Sequence, residues 1–65
     1  MKLCKKNVLL YMARLVIDQQ ALAERSGVSR ATISAAINGR KCNTVLLGKI
    51  SKALNTDPEN IIEDE

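Results

Sequence analysis

The sequence has no histidine, no tryptophan and no phenylalanine, and Tyr11 is its one aromatic residue. Without histidine, imidazole acid–base catalysis and His-ligated metal sites are excluded. A single ring cannot supply the successive platforms on which single-stranded nucleic acids stack. Proline occurs once, at Pro58, and glycine three times, at Gly27, Gly39 and Gly48, so no Pro- or Gly-rich linker divides the chain. Cys4 and Cys42 are too few for a disulfide scaffold and too isolated for a four-ligand zinc site. They read as reduced thiols, with a single bridge between them as the alternative. Long apolar runs are also missing. Val8–Ile17 is interrupted by Arg14 and falls well short of the ~20 residues that span a bilayer.

That run does imitate a signal peptide, with Lys2, Lys5 and Lys6 before it and Ala21-Leu22-Ala23 after it. Polar Asp18-Gln19-Gln20 intervenes, however, and cleavage after Ala23 would leave 42 residues, too few for a typical domain without staples. The expectation is a cytoplasmic protein with no membrane partner and no leader to remove.

What is present is a 65-residue chain, 46% apolar and 26% charged, which is globular composition and not that of disorder. Length allows one domain, residues 1–65, with about 60% of the unfolded surface buried and little room for a deep cavity. The formal net charge of +3 conceals a split. Residues 1–54 hold all ten basic residues and only Asp18 and Glu24, giving +8, whereas residues 55–65 carry five acids, giving −5. A basic body with an acidic tail at 63–65 suits a polyanionic partner. A solvated surface with a solubilising tail is the plainer alternative.

The apolar pattern is helical throughout, and no stretch alternates as a strand would. Helix 1 is expected over Lys6–Ile17, with Val8, Met12 and Leu15 on one face. Asp18 then caps a helix over Gln19–Ser26, and Gly27 suits its left-handed end. Ser29 caps Arg30 to Ile37 or Asn38, which Asn38-Gly39 stops. Asn43 or Thr44 caps a fourth helix through Leu54, with Leu47, Ile50, Ser51 and Leu54 inward. Thr56 or Asp57 opens a last helix with Pro58 at its first position, and Ile61 and Ile62 close the core. The fold class expected is therefore all-α, a compact five-helix bundle.

Residues 19–38, QQALAERSGVSRATISAAIN, are the informative segment. Two short helices meeting at a glycine-containing turn form a helix-turn-helix. Ala23 is small enough for close helix approach, Gly27 turns the chain, and Val28 drops inward. Leu22, Ile33 and Ala36 set the crossing, and Ser29 leaves the N-terminal end of its helix free to enter a major groove. A structural helical corner with no DNA role would share single features, but the joint spacing with a basic body favours DNA.

These residues resemble the Cro/repressor-type (Xre-like, lambda-repressor-like) helix-turn-helix family of prokaryotic and phage regulators. The likeness runs over about residues 6–62: Ile17-Asp18-Gln19, Ala21-Leu22-Ala23, Gly27-Val28-Ser29, Ile33-Ser34, Asn38-Gly39-Arg40, Leu47–Leu54 and Ile61-Ile62. The resemblance implies a recognition helix at 29–38 whose outward residues Arg30, Ala31, Ser34 and Ala35 face base edges. Arg30 has the donor fork that suits guanine, with a phosphate contact as its alternative role. The alanines offer methyl contacts to thymine. Phosphate contacts implied in the same way are Gln19, Ser29, Thr32, Asn38, Arg40, Lys41 and Asn43. Asn38 could instead only end its helix, and Asn43 only cap the next. Lys2, Lys5, Lys6 and Arg14 would add attraction, with Lys2 equally well placed as a plain solvated residue.

The resemblance further implies a Cro-like transcriptional regulator, repressing by occupying a near-palindromic operator as a homodimer, at least on DNA. No cofactor, metal or small-molecule ligand is implied, and no pair of groups resembles a nucleophile with its base. Three departures stand out. Met12 and Ile37 occupy positions where the family often pairs an arginine with an acid. Ser26 replaces an apolar residue, and Gly48 interrupts helix 4, where it could admit another chain. Helix 1 is apolar almost all round through Leu9, Leu10, Tyr11, Val16 and Ile17, and Val45 and Leu46 add apolar surface near helix 4, either as scattered surface residues or as a self-association surface. A protein-interaction adaptor, antitoxin-like or anti-repressor-like and using the helix 1 face, is the alternative function. The acidic tail is expected to stand clear of the DNA.

Overall fold

A computed structural model describes residues 1–63 of the chain. Among them are four α-helices and a two-stranded antiparallel pairing: β1 (Lys2–Leu3), α1 (Lys5–Leu15), α2 (Gln19–Ser26), α3 (Arg30–Ile37), α4 (Thr44–Ala53) and β2 (Ile62–Glu63), with a 3-10 turn at Pro58–Asn60. The expected five-helix bundle is thus corrected to four helices. Pro58 does open a helical turn, but the chain leaves it after three residues because Ile62 pairs with Leu3 and Glu63 with Lys2. A strand of two residues is too short for alternation to reveal, so no strand signal stands out in the sequence.

Side-chain chemistry starts three of the helices. The Asp18 carboxylate accepts from the Ala21 N–H at 2.9 Å. The Ser29 hydroxyl accepts from the Thr32 N–H at 3.2 Å and donates to the Thr32 hydroxyl at 2.8 Å. The Asn43 amide oxygen accepts from the Leu46 N–H at 2.8 Å. Each cap satisfies an otherwise orphaned backbone donor. α1 lacks such a cap; the Cys4 N–H at its entry donates instead to the Ile61 carbonyl at 2.7 Å.

All four helices end in the same way, on a residue with positive φ: Val16 (56°), Gly27 (71°), Gly39 (103°) and Asn55 (56°). After each, a backbone N–H reaches back five residues, as in Ile17 to Met12, Val28 to Ala23, Arg40 to Ala35 and Thr56 to Ser51. This is the Schellman arrangement, and it commonly uses glycine. Val16 fills the position with a β-branched residue, so α1 stops at Leu15 and not at the expected Ile17.

Every α-helix sends residues into one core. Val8 and Met12 come from α1, Leu22 and Ala23 from α2, Ile33, Ala36 and Ile37 from α3, and Leu47, Ile50 and Ala53 from α4. Leu3, Cys42, Leu54 and Ile61 complete it, with Ile62 packed against its edge. Met12 and Ile37 are both buried, so an apolar pair occupies the interior where an ion pair would need full desolvation. Ser51 is the one buried polar residue among those described, and its hydroxyl donates to the Gly48 carbonyl at 3.0 Å. Tyr11 and Ile17, read from sequence as part of an apolar sheath on α1, pack against the core. Leu9, Leu10, Val16 and Val45 remain exposed.

The strand pair lies beside the loop between α3 and α4, because the Cys42 N–H donates to the Met1 carbonyl at 2.7 Å. Glu63, the first residue of the acidic tail, is exposed and lies opposite Lys2, next to Met1. Asp64 and Glu65, the rest of that tail, lie outside the described residues.

Candidate nucleic-acid interface

The inward stripe of α3 is Ile33, Ala36 and Ile37. Helical spacing then places Ala31, Ser34, Ala35 and Asn38 on the opposite face, with Arg30 and Thr32 at its two edges. Arg30, Ala31, Thr32 and Asn38 are exposed, while Ser34 and Ala35 are half-buried. The centre of the outer face is thus two methyl groups and a hydroxyl. The long donor, Arg30, reaches in from the first turn.

Local sequence holds this face in place. Gly27 turns the chain between α2 and α3 with φ of 71°, where the left-handed backbone favours glycine. Ser29 and Thr32 are hydrogen-bonded to each other across the first turn of α3. At the other end Gly39, φ 103°, reverses the chain and delivers Arg40 and Lys41 to the surface. Neither Gly27 nor Gly39 has a neighbouring atom that a Cβ would meet, so their conformation and not crowding demands glycine there.

Two adjacent grooves bring together residues far apart in sequence. One, of about 260 Å³, is lined by Thr32, Ala35, Ala36, Arg40, Lys41 and Leu46. The next, of about 310 Å³, is lined by Gly27, Val28, Thr32, Asn43, Val45, Leu46 and Lys49. Thr32 borders both, and among the described residues no carboxylate lines either. Of the sequence-derived site residues, Thr32, Ala35, Arg40, Lys41 and Asn43 converge here. Gln19, Ser29, Arg30, Ala31, Ser34 and Asn38 line neither groove. Gln19 is half-buried at the start of α2, directly after the Asp18 cap. Ser29 and Asn43 are also the caps of α3 and α4.

Lys49 was missed by sequence reasoning. The signal that could have found it is its place one turn beyond Val45, on the face of α4 that Asn43 opens. From Lys49 the positive surface continues. Arg25, Lys49 and Lys52 border a further groove of about 350 Å³, again with no carboxylate among the described residues. The Arg25 Nε donates to the Ala53 carbonyl at 3.1 Å, which ties the end of α2 to the end of α4.

Cys42 sits under this surface. It is buried, its thiol faces the Arg40 carbonyl at 3.7 Å, and burial pushes its pKa up from 9.0 against a smaller lowering by the N-terminal ammonium and the Leu3 backbone. It serves the loop as a neutral apolar side chain. Among the described residues no group of three or more metal-ligating side chains occurs, and no helix is long and apolar enough to cross a membrane.

Residues 12–61 match a family model described as helix-turn-helix. No curated protein and no solved structure matches the chain.

Proposed function

Because the chain belongs to the Xre/lambda-repressor-like helix-turn-helix family, whose domains bind DNA and are not generally enzymatic, we propose that it is a sequence-specific regulator of transcription acting on double-stranded DNA. In this reading α3 enters the major groove with Arg30, Ala31, Ser34 and Ala35 toward base edges. The single observation that carries it is the outer face of α3. On it Arg30, Ala31, Thr32 and Asn38 are exposed and Ser34 and Ala35 half-buried, its first turn is fixed by Ser29 and Thr32, and beside it lie two grooves that bear Arg40, Lys41 and Lys49 and no carboxylate among the described residues.

Arg30 reads a guanine, and the alanines accept thymine methyls or allow close approach. Gln19, Ser29, Thr32, Asn38, Arg40, Lys41 and Asn43 bind phosphate, and Lys49 extends that set. The longest dimension of the chain is 28 Å, shorter than the ~34 Å turn that separates half-sites. One chain as a single domain therefore covers one half-site, and a homodimer on a near-palindromic operator covers two. On that operator it acts in a Cro-like way, repressing by occupancy from within the cytoplasm.

Random-site selection followed by a gel-shift series in salt tests this. The selected sites should converge on a two-fold motif, and affinity for it should fall steeply with salt as counterions are released. Selection without enrichment, or binding insensitive to salt, would refute the proposal.

A further inference from the structure

α1 carries a second surface. Leu9 is 44%, Leu10 56% and Val16 89% exposed. Leu9 and Ala13 lie one turn apart on the outer side of α1, Leu10 borders them, and Val16 stands at the helix end where that side finishes. None of these residues lines the grooves around α3. Val16 also holds a left-handed backbone, φ 56°, at a position type that glycine or asparagine fills at the other three helix ends. A β-branched residue there is strained, and an exposed side chain returns nothing to the fold for that strain. Strain of this kind persists at functional positions.

The surroundings indicate what fits. α1 has three cations, Lys5, Lys6 and Arg14, all exposed, and no acid. Arg14 is held over the Tyr11 ring at 5.0 Å, beside Leu10, in a groove of about 320 Å³ that Glu59 and Asn60 also border. We propose that this face docks an acidic amphipathic helix of a partner protein. Leu9, Leu10 and Val16 take its apolar stripe, while Lys5, Lys6 and Arg14 meet its carboxylates. A second copy docked face to face would oppose these same cations to one another. A lipid surface is disfavoured because α1 commits Val8 and Met12 to the core, leaving too small an apolar face for interfacial anchoring.

The test titrates the full chain into a fluorescent peptide with leucines at i, i+3, i+4 and i+7 and glutamates between them, alongside a scrambled peptide of equal composition. Saturable binding of the patterned peptide is expected, weakened by salt. The double variant Leu9→Ser, Leu10→Ser should bind it about tenfold more weakly or worse. Val16→Gly should also bind more weakly although it folds more stably. DNA affinity should be unchanged in both variants, which separates failure of this proposal from failure of the DNA-binding reading. No saturable binding, or equal binding of both peptides, overturns it. So does sedimentation showing self-association that the double variant abolishes, or binding to anionic vesicles that it abolishes.

Discussion

Val16→Gly isolates the energetics of one backbone position. Val16 ends α1 at φ 56° and is 89% exposed, so replacing it removes almost no buried apolar contact. Its N–H donates to the Ala13 carbonyl at 3.1 Å, and the following Ile17 N–H donates to the Met12 carbonyl at 3.0 Å. Glycine preserves both bonds. The left-handed conformation costs a residue with a Cβ about 1–2 kcal/mol. Glycine returns roughly 0.4–1 kcal/mol of that through the greater entropy of its unfolded chain. The net gain is about 0.5–1 kcal/mol, which for a chain of this size raises Tm by roughly 2–8 °C. Thermal melts at 222 nm, with urea titration to check that the slope of ΔG is unchanged, would measure it. Val16→Ala is the control: it keeps the strain, removes only exposed methyls and should leave Tm nearly unmoved. A lower Tm for Val16→Gly, or an equal rise for Val16→Ala, would refute the assignment of strain to the backbone.

Arg30→Ala should cost about 1–3 kcal/mol on the selected site and relax preference at one base pair per half-site; an equal loss on all sequences would instead make Arg30 a phosphate contact. Gly48→Ala should stabilise the chain by about 1 kcal/mol, because a Cβ at Gly48 meets nothing within 4 Å; stabilisation accompanied by weaker cooperative binding to a two-site operator would show that another chain approaches there. Burial holds the Cys42 thiol above 9.0, so the folded state binds its proton more tightly than the unfolded state. Its contribution is complete below the ordinary thiol value and is lost as pH rises through the elevated one; denaturation at pH 8 and pH 10.5 should therefore show a smaller alkaline loss for Cys42→Ala than for the wild type. Removing residues 63–65 should strengthen nonspecific DNA binding at low salt, since Glu63 lies opposite Lys2 beside the loop of Arg40 and Lys41; an unchanged affinity would remove the acidic tail from the electrostatics of the interface.

The features legible in the sequence are those whose chemistry closes over three or four residues. Asp18, Ser29 and Asn43 were readable as caps because each accepts from a backbone N–H three positions later. Gly27 and Gly39 were readable as helix ends because the left-handed backbone selects glycine. The outer face of α3 followed from its buried stripe by helical period alone. Val16 breaks the same rule that makes Gly27 visible: a valine does not advertise a left-handed end, so the expected end of α1, Ile17, lies two residues beyond the observed one, Leu15. The strand pair was hidden for a different reason. Leu3 and Ile62 are fixed by a pairing between the two ends of the chain, and no local pattern encodes a register across that separation. Leu3 and Cys42 escaped the core reading likewise, since each is an isolated apolar residue among polar ones, buried only because the ends meet under the α3–α4 loop.

The candidate interface divides along the same line. The residues proposed to face bases lie within two turns of one helix, so local periodicity picks them out. The residues proposed to face phosphate depend on how α4 is placed relative to α3, and no period in the sequence carries that angle. Leu46 illustrates the difference. It packs against the core while lining both grooves beside Thr32, between α3 and the start of α4. The grooves holding Arg40, Lys41 and Lys49 are consequently a product of core packing. A change at Leu46 should therefore alter phosphate affinity without touching a base contact. Leu46→Ala would lower affinity across all sequences and leave the selected motif intact, as binding to matched and scrambled sites can measure. A shift of base preference in that variant would mean that the two halves of the interface are not separable in this way.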